Sequence, residues 1–298
     1  MAKNIGGIIP PLLTPFDNEG KVHEFKLRNL IQFLSDKVHG LFICGTYGSG
    51  PAMSLKDRKR VVEIAVEQLN GKLPVIVHVG ATSLDDVIDL SLHAKESGAQ
   101  AVAAVPPFYY KYSQDEIIRF FERLVSKVDI PVFLYNNPNT SGLMIEIETV
   151  QKLKDIGLIG IKDSTFDLSY FYRVKNEVGI DDFTYISGSE TFIIPTIPLG
   201  ARGVISGLAN AFPEVVVELY NSVKNKEFEK AFLLQGKINA LRQVIRLTKS
   251  ILSVHIMLKL RGIDSGVPKF PMSLEGTESI EEKMRNEMIK LGFENYLA

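Results

Sequence analysis

Apolar runs of four to seven residues alternate along the chain with longer stretches in which apolar residues recur every three or four positions. The short runs cover residues 7–13, 40–44, 74–79, 101–105, 131–135, 158–162, 183–187 and 203–206 and read as eight strands. Between them the spacing predicts helices over 24–37, 55–70, 84–97, 114–128, 146–156, 168–178 and 191–199. Ser54, Ser83 and Ser113 each precede a helical stretch and are followed two or three residues later by an acid, the signature of an N-terminal cap.

Strands that read as continuous apolar runs belong in a parallel sheet covered on both faces. Eight βα units in succession point to a closed (β/α)8 TIM barrel in the α/β class, with a doubly wound open sheet as the alternative. The eighth unit ends near Glu214, so the barrel is expected to take residues 1–225. Residues 226–298 then form a helical extension packed on it, with helices over 227–247, 250–260 and 280–291 and a linker over 262–271.

Composition narrows the function classes. Across 298 residues, 34 Lys and Arg stand against 35 Asp and Glu, a balance that speaks against a polyanion binder and against an acidic disordered chain. The single cysteine, Cys44, excludes an intrachain disulfide and suits a reducing cytoplasm. The longest uncharged run, 38–55, is broken by four glycines and a proline and cannot cross a membrane as a helix; residues 1–7 do not read as a secretory signal. None of His23, His39, His78, His93 and His255 pairs at metal-ligand spacing, so neither a metal nor another cofactor is expected. His78, within a strand, and His255, on an apolar helix, read as core histidines.

In a βα barrel the reactive groups sit at the C-terminal ends of the strands. Lys162 closes the run Leu158-Ile159-Gly160-Ile161 and would face the barrel mouth. Desolvation of such an amine favours its neutral form, which can attack a carbonyl carbon and form an imine. The competing reading is a strand-end lysine whose head reaches solvent or pairs with Asp163. Tyr135 ends the neighbouring strand, as a proton relay or as a core tyrosine with a satisfied hydroxyl. The turn Gly45-Thr46-Tyr47-Gly48-Ser49-Gly50 offers amides and a hydroxyl to a small anion, or is a plain strand-to-helix turn; it matches neither the dinucleotide nor the P-loop fingerprint. Cys44 reads as a buried thiol.

Together these strand ends resemble the dihydrodipicolinate synthase and N-acetylneuraminate lyase superfamily of pyruvate-dependent class I aldolases over nearly the whole chain. The likeness rests on Gly45-Thr46-Tyr47-Gly48, Tyr135-Asn136-x-Pro138, Gly160-Ile161-Lys162-Asp163 and Gly203-Val204-Ile205-Ser206. It implies that Lys162 forms the imine with pyruvate, Tyr135 donates and accepts the proton, and Thr46 and Tyr109 complete the relay. It further implies that Gly45, Thr46 and Tyr47 hold the pyruvate carboxylate while Gly188 and Ile205 line the pyruvyl group. In the family the tyrosine matching Tyr109 reaches into a neighbouring subunit, which implies a homotetramer.

Two departures bear on the substrate. The synthase loop carries an arginine where this chain has Thr140, and the glutamate usual after the glycine turn is replaced by Ser49-Gly50-Pro51-Ala52. With Lys162-Asp163-Ser164, this pattern is similar to archaeal 2-keto-3-deoxygluconate aldolases. The expected reaction is therefore reversible cleavage of 2-keto-3-deoxygluconate, its galactonate epimer or the 6-phosphate to pyruvate and an aldehyde. Lys111, Arg242 and Arg246 are available as cations at the outer end of the site. The alternatives are an N-acetylneuraminate lyase, a dihydrodipicolinate synthase, an enzyme acting on a hydroxyproline-derived keto acid, and a pyruvate-binding protein without turnover.

Overall fold

In the computed structural model, which describes residues 5–298, eight short strands form one parallel sheet: β1 Gly7–Ile9, β2 Leu41–Ile43, β3 Val75–His78, β4 Ala101–Ala104, β5 Val132–Asn136, β6 Gly160–Asp163, β7 Thr184–Ser187 and β8 Gly203–Ile205. Neighbours pair in chain order from β2 to β8, and β8 returns to β1. Between β1 and β2 the barrel closes through a bridge of Pro11 with Phe42, where the Phe42 N–H donates to the Pro10 carbonyl (3.0 Å) and Leu12 N–H to the Phe42 carbonyl (2.9 Å). The predicted strand over 7–13 is thus shorter as a regular strand, because Pro10 and Pro11 carry no N–H for the ladder.

The strands alternate faces. Phe42, Ile76, Ala103, Phe133, Tyr135, Ile186 and Ile205 fill the barrel interior, whereas Val132, Leu134, Ile161 and Val204 face the helices. Gly160 is glycine for a packing reason: a Cβ there would lie 2.6 Å from the Phe133 ring and 2.2 Å from the Thr184 carbonyl oxygen.

The helices are α1 Glu24–Ser35, α2 Leu55–Leu69, α3 Leu84–Ser97, α4 Gln114–Val125, the short α5 Pro138–Ser141, α6 Ile147–Asp155, α7 Leu168–Arg173, the short α8 Ile193–Thr196, α9 Pro213–Lys224, α10 Phe228–Ile245, α11 Ser250–Leu260 and α12 Glu278–Lys290. Ser54 caps α2, and Ser113 with Glu116 makes a reciprocal capping box on α4; Ser83 makes no side-chain cap. The predicted helix over 168–178 is α-helical only to Arg173 and then widens into a π-turn over Val174–Val178. That over 191–199 is broken into two 3₁₀ turns around α8, since Pro195 and Pro198 withhold amide donors. The stretch 262–271 is more than a linker: Val267 and Phe16 exchange backbone hydrogen bonds of 3.0 and 3.1 Å, strapping the C-terminal part to the loop after β1. Among the described residues no helix is long and apolar enough to cross a membrane.

Candidate active site

At the C-terminal mouth of the barrel lies a cleft of about 340 Å³. Adjacent strands place Tyr135 and Lys162 on one rung, and both point inward. The Lys162 Nζ sits 3.7 Å from the centroid of the Tyr135 ring and 3.8 Å from that of Phe42, and the residue is only 4% exposed. It makes no pair with Asp163, which alternation turns outward. Two ring faces attract an ammonium, but they do not replace its water. Burial accordingly pulls the Lys162 ammonium below the usual lysine range, a shift that the facing Tyr135 partly opposes.

The Tyr135 hydroxyl accepts from Asn137 Nδ2 at 3.0 Å and lies 3.4 Å from Thr46 Oγ1. Burial alone would raise the phenol; the charge of Lys162 and hydrogen bonding from Thr46, Lys162 and Ser164 outweigh it and hold the group below its ordinary value. The two groups act on each other: the Lys162 charge lowers Tyr135, and Tyr135 opposes the fall of Lys162. A desolvated amine beside a phenol can add to a carbonyl and carry water away from the adduct.

Thr46, Tyr47, Gly188 and Ile205 line the cleft, as their strand-end positions predict. Gly45 does not; it lies beneath the turn, where a Cβ would meet the Phe42 ring at 2.5 Å. Tyr109 is also outside, 86% exposed with φ +98°, and it makes no contact with Thr46 or Tyr135 of its own chain. Cys44 is buried, and burial raises its thiol to about 11, which keeps it unreactive.

Several lining residues escape the sequence reading. Asn137 stands two positions after Tyr135, and strand alternation could have placed both on one face. Glu190, buried after β7, takes a 2.5 Å hydrogen bond from Arg242 Nη1 of α10, and Gln235 of the same helix donates to the Glu190 carbonyl at 3.2 Å. Arg246 and Ser250 line the same wall. Of the three cations proposed for the outer end, Arg242 and Arg246 are in the cleft and Lys111 is not. A second cavity of about 280 Å³ shares Thr46 and Tyr135 with the first and is lined by Pro51, Ala52, Val105, Phe108 and Met272.

The Dihydrodipicolinate synthetase family matches residues 4–290, and the chain belongs to that family. It is 34% identical over 296 residues to a 4-hydroxy-tetrahydrodipicolinate synthase of Methanopyrus kandleri, covering 98% of each chain. Among solved structures it superposes on dihydrodipicolinate synthase from Aquifex aeolicus with a TM-score of 0.90 at 28% identity, covering 97% of this chain and 98% of that one. KD(P)GA from T. tenax superposes with a TM-score of 0.88 at 26% identity, covering 97% and 99%.

Proposed function

From membership of the dihydrodipicolinate synthetase family, we propose that the chain is a pyruvate-dependent carbon–carbon lyase working through an imine on Lys162. The observation that carries this reading is the desolvated Lys162 amine packed on Tyr135, whose hydroxyl is held by Asn137 and Thr46. Nζ adds to the C2 carbonyl of pyruvate, with the carboxylate on the amides and hydroxyl of the Thr46–Tyr47 turn and the methyl end along Gly188 and Ile205. Tyr135 protonates the carbinolamine oxygen, water leaves, and the resulting iminium draws electrons from C3. Loss of a C3 proton gives the enamine, which attacks the aldehyde carbon; in reverse, the C3–C4 bond breaks and the C4 hydroxyl gives its proton to Tyr135.

For the second substrate, the named relatives shift the weight from the sugar acid expected on sequence grounds to aspartate semialdehyde, the partner in the synthase reaction. Thr140 offers no cation for that aldehyde's carboxylate. Arg246 can: it lines the cleft and makes no ion pair among the described residues, whereas Arg242 is committed to Glu190. The 2-keto-3-deoxygluconate reading keeps one specific support, the hydroxyls of Ser164 and Ser250 in the lining of the cleft, which suit a polyol. In this proposal the barrel, residues 1–225, carries the chemistry and the extension, 226–298, closes the outer wall. The exposed Tyr109 serves a neighbouring subunit in a tetramer, a state that sedimentation would verify.

Incubation with pyruvate and borohydride should leave a stable adduct on Lys162, visible by mass; its absence would overturn the imine. Condensing pyruvate with aspartate semialdehyde, glyceraldehyde, glyceraldehyde 3-phosphate and N-acetylmannosamine, and comparing kcat/KM, assigns the aldehyde.

A further inference from the structure

Beneath the carboxylate turn lies a buried cation that the reaction as described does not use. Arg58, on α2, is 3% exposed and has no carboxylate partner among the described residues. Its guanidinium donates to the His78 carbonyl at 2.6 Å and to the Gly80 carbonyl at 3.0 Å, both at the end of β3. His78 in turn places Nδ1 3.1 Å from the Cys44 carbonyl. A carbonyl only accepts, so Nδ1 carries the hydrogen; burial, with the charges of Arg58 and Lys162, holds the imidazole well below its usual range. The Cys44 thiol donates back to the Arg58 carbonyl at 3.7 Å, which closes the circuit.

Cys44 is the residue from which the turn departs. Its backbone is left-handed, with φ +56°, a conformation that a non-glycine residue holds only where its surroundings impose it. Gly50, at the other end of the turn, lies so close to the Cys44 carbonyl that a Cβ would come within 1.7 Å of its oxygen. That carbonyl thus lies against both ends of the loop that presents Thr46 and Tyr47. A salt-bridged arginine would hold α2 to β3 equally well; one that spends its donors on strand-end carbonyls keeps its charge for the region of the turn.

We propose that Arg58, acting through His78 and the Cys44 carbonyl, is a positioning residue for the turn that receives the keto-acid carboxylate, and that its buried charge favours an anion there. The inference rests on the imine reading. It places the effect on pyruvate and spares the aldehyde, a split that general loss of stability does not produce.

The test measures borohydride trapping on Lys162 against pyruvate concentration, with KM for pyruvate and for the best aldehyde measured alongside. In Arg58→Met the half-saturating pyruvate should rise about tenfold, the worth of one charge-assisted hydrogen bond, with the aldehyde KM changed less than about twofold. Arg58→Lys, which keeps charge without the fork, should fall between. Should Arg58→Met fail to fold, His78→Leu and His78→Asn serve: Leu removes the donor to Cys44, and Asn restores one near the Nδ1 position. Leucine should raise half-saturation and asparagine should return it toward wild type. Equal rises for pyruvate and aldehyde, no rise in folded variants, or an asparagine variant as impaired as the leucine one would overturn the proposal. A wild-type protein that traps no pyruvate would instead overturn the imine reading.

Discussion

Two successive rungs of β5 and β6 carry ionisable or strongly polar pairs, and they behave in opposite ways. Tyr135 pairs with Lys162 on the inner face and Asn136 with Asp163 on the outer face. All four residues are buried. On the outer rung the Asp163 carboxylate is surrounded by donors: the Tyr185 hydroxyl at 2.6 Å, the Thr165 hydroxyl at 2.9 Å, the Thr165 N–H at 3.2 Å and Asn136 Nδ2 at 3.3 Å. The inner amine has two ring faces and the Tyr135 hydroxyl beside it, and open cleft beyond. One residue of alternation therefore separates a group whose valences are filled, and which ties β5, β6 and β7 together, from a group left incomplete. Reactivity here is unfilled hydrogen-bonding capacity held in a dry place.

Four substitutions break or sharpen this contrast, taken from the largest effect down. Lys162→Ala should abolish trapping and lower kcat by at least about 10⁴-fold, while the melting temperature holds or rises because a desolvated amine is removed. Tyr135→Phe keeps the ring under Lys162 and removes only the relay, so kcat should fall about 10²- to 10³-fold with the imine still trappable at long incubation. On the outer rung, burial raises Asp163 from 3.8 to about 6, so the folded state holds a proton that the unfolded chain has already released. Its contribution to stability is complete below pH 3.8 and falls away as pH rises through about 6, a swing of about 3 kcal/mol. Asp163→Asn should flatten that stretch of the stability–pH curve in calorimetry; an unchanged curve would mean that other groups carry it. Thr46→Val removes the 3.4 Å contact to the Tyr135 hydroxyl and the one hydroxyl proposed for the carboxylate, so kcat should fall three- to tenfold, about one hydrogen bond, with a rise in KM for pyruvate.

The inner rung was readable from the chain because each half of it is a local motif: an apolar run that ends in a polar residue declares both the strand and the end that matters. Register then brings Tyr135 and Lys162 together without further information. Asn137 was within reach of the same argument. Of the outer wall the sequence offers Arg242 and Arg246 as cations but not the pairing, since Glu190 and Arg242 meet across 52 positions and nothing in α10 states which way it leans over the mouth. Helix breaks at Pro195 and Pro198 were visible as prolines but hidden under a convincing apolar period. Tyr109, in the loop after β4, turns away from the site of its own chain, in keeping with a side chain meant for a neighbouring subunit.

Phe42 belongs to two accounts at once. Its peptide makes the hydrogen bonds to Pro10 and Leu12 that close the barrel at the mouth, at a seam where two prolines leave few others. Its ring forms half of the box around the Lys162 nitrogen. A substitution that shifts Phe42 would therefore disturb the hydrogen bonds of the seam and the surroundings of the amine together.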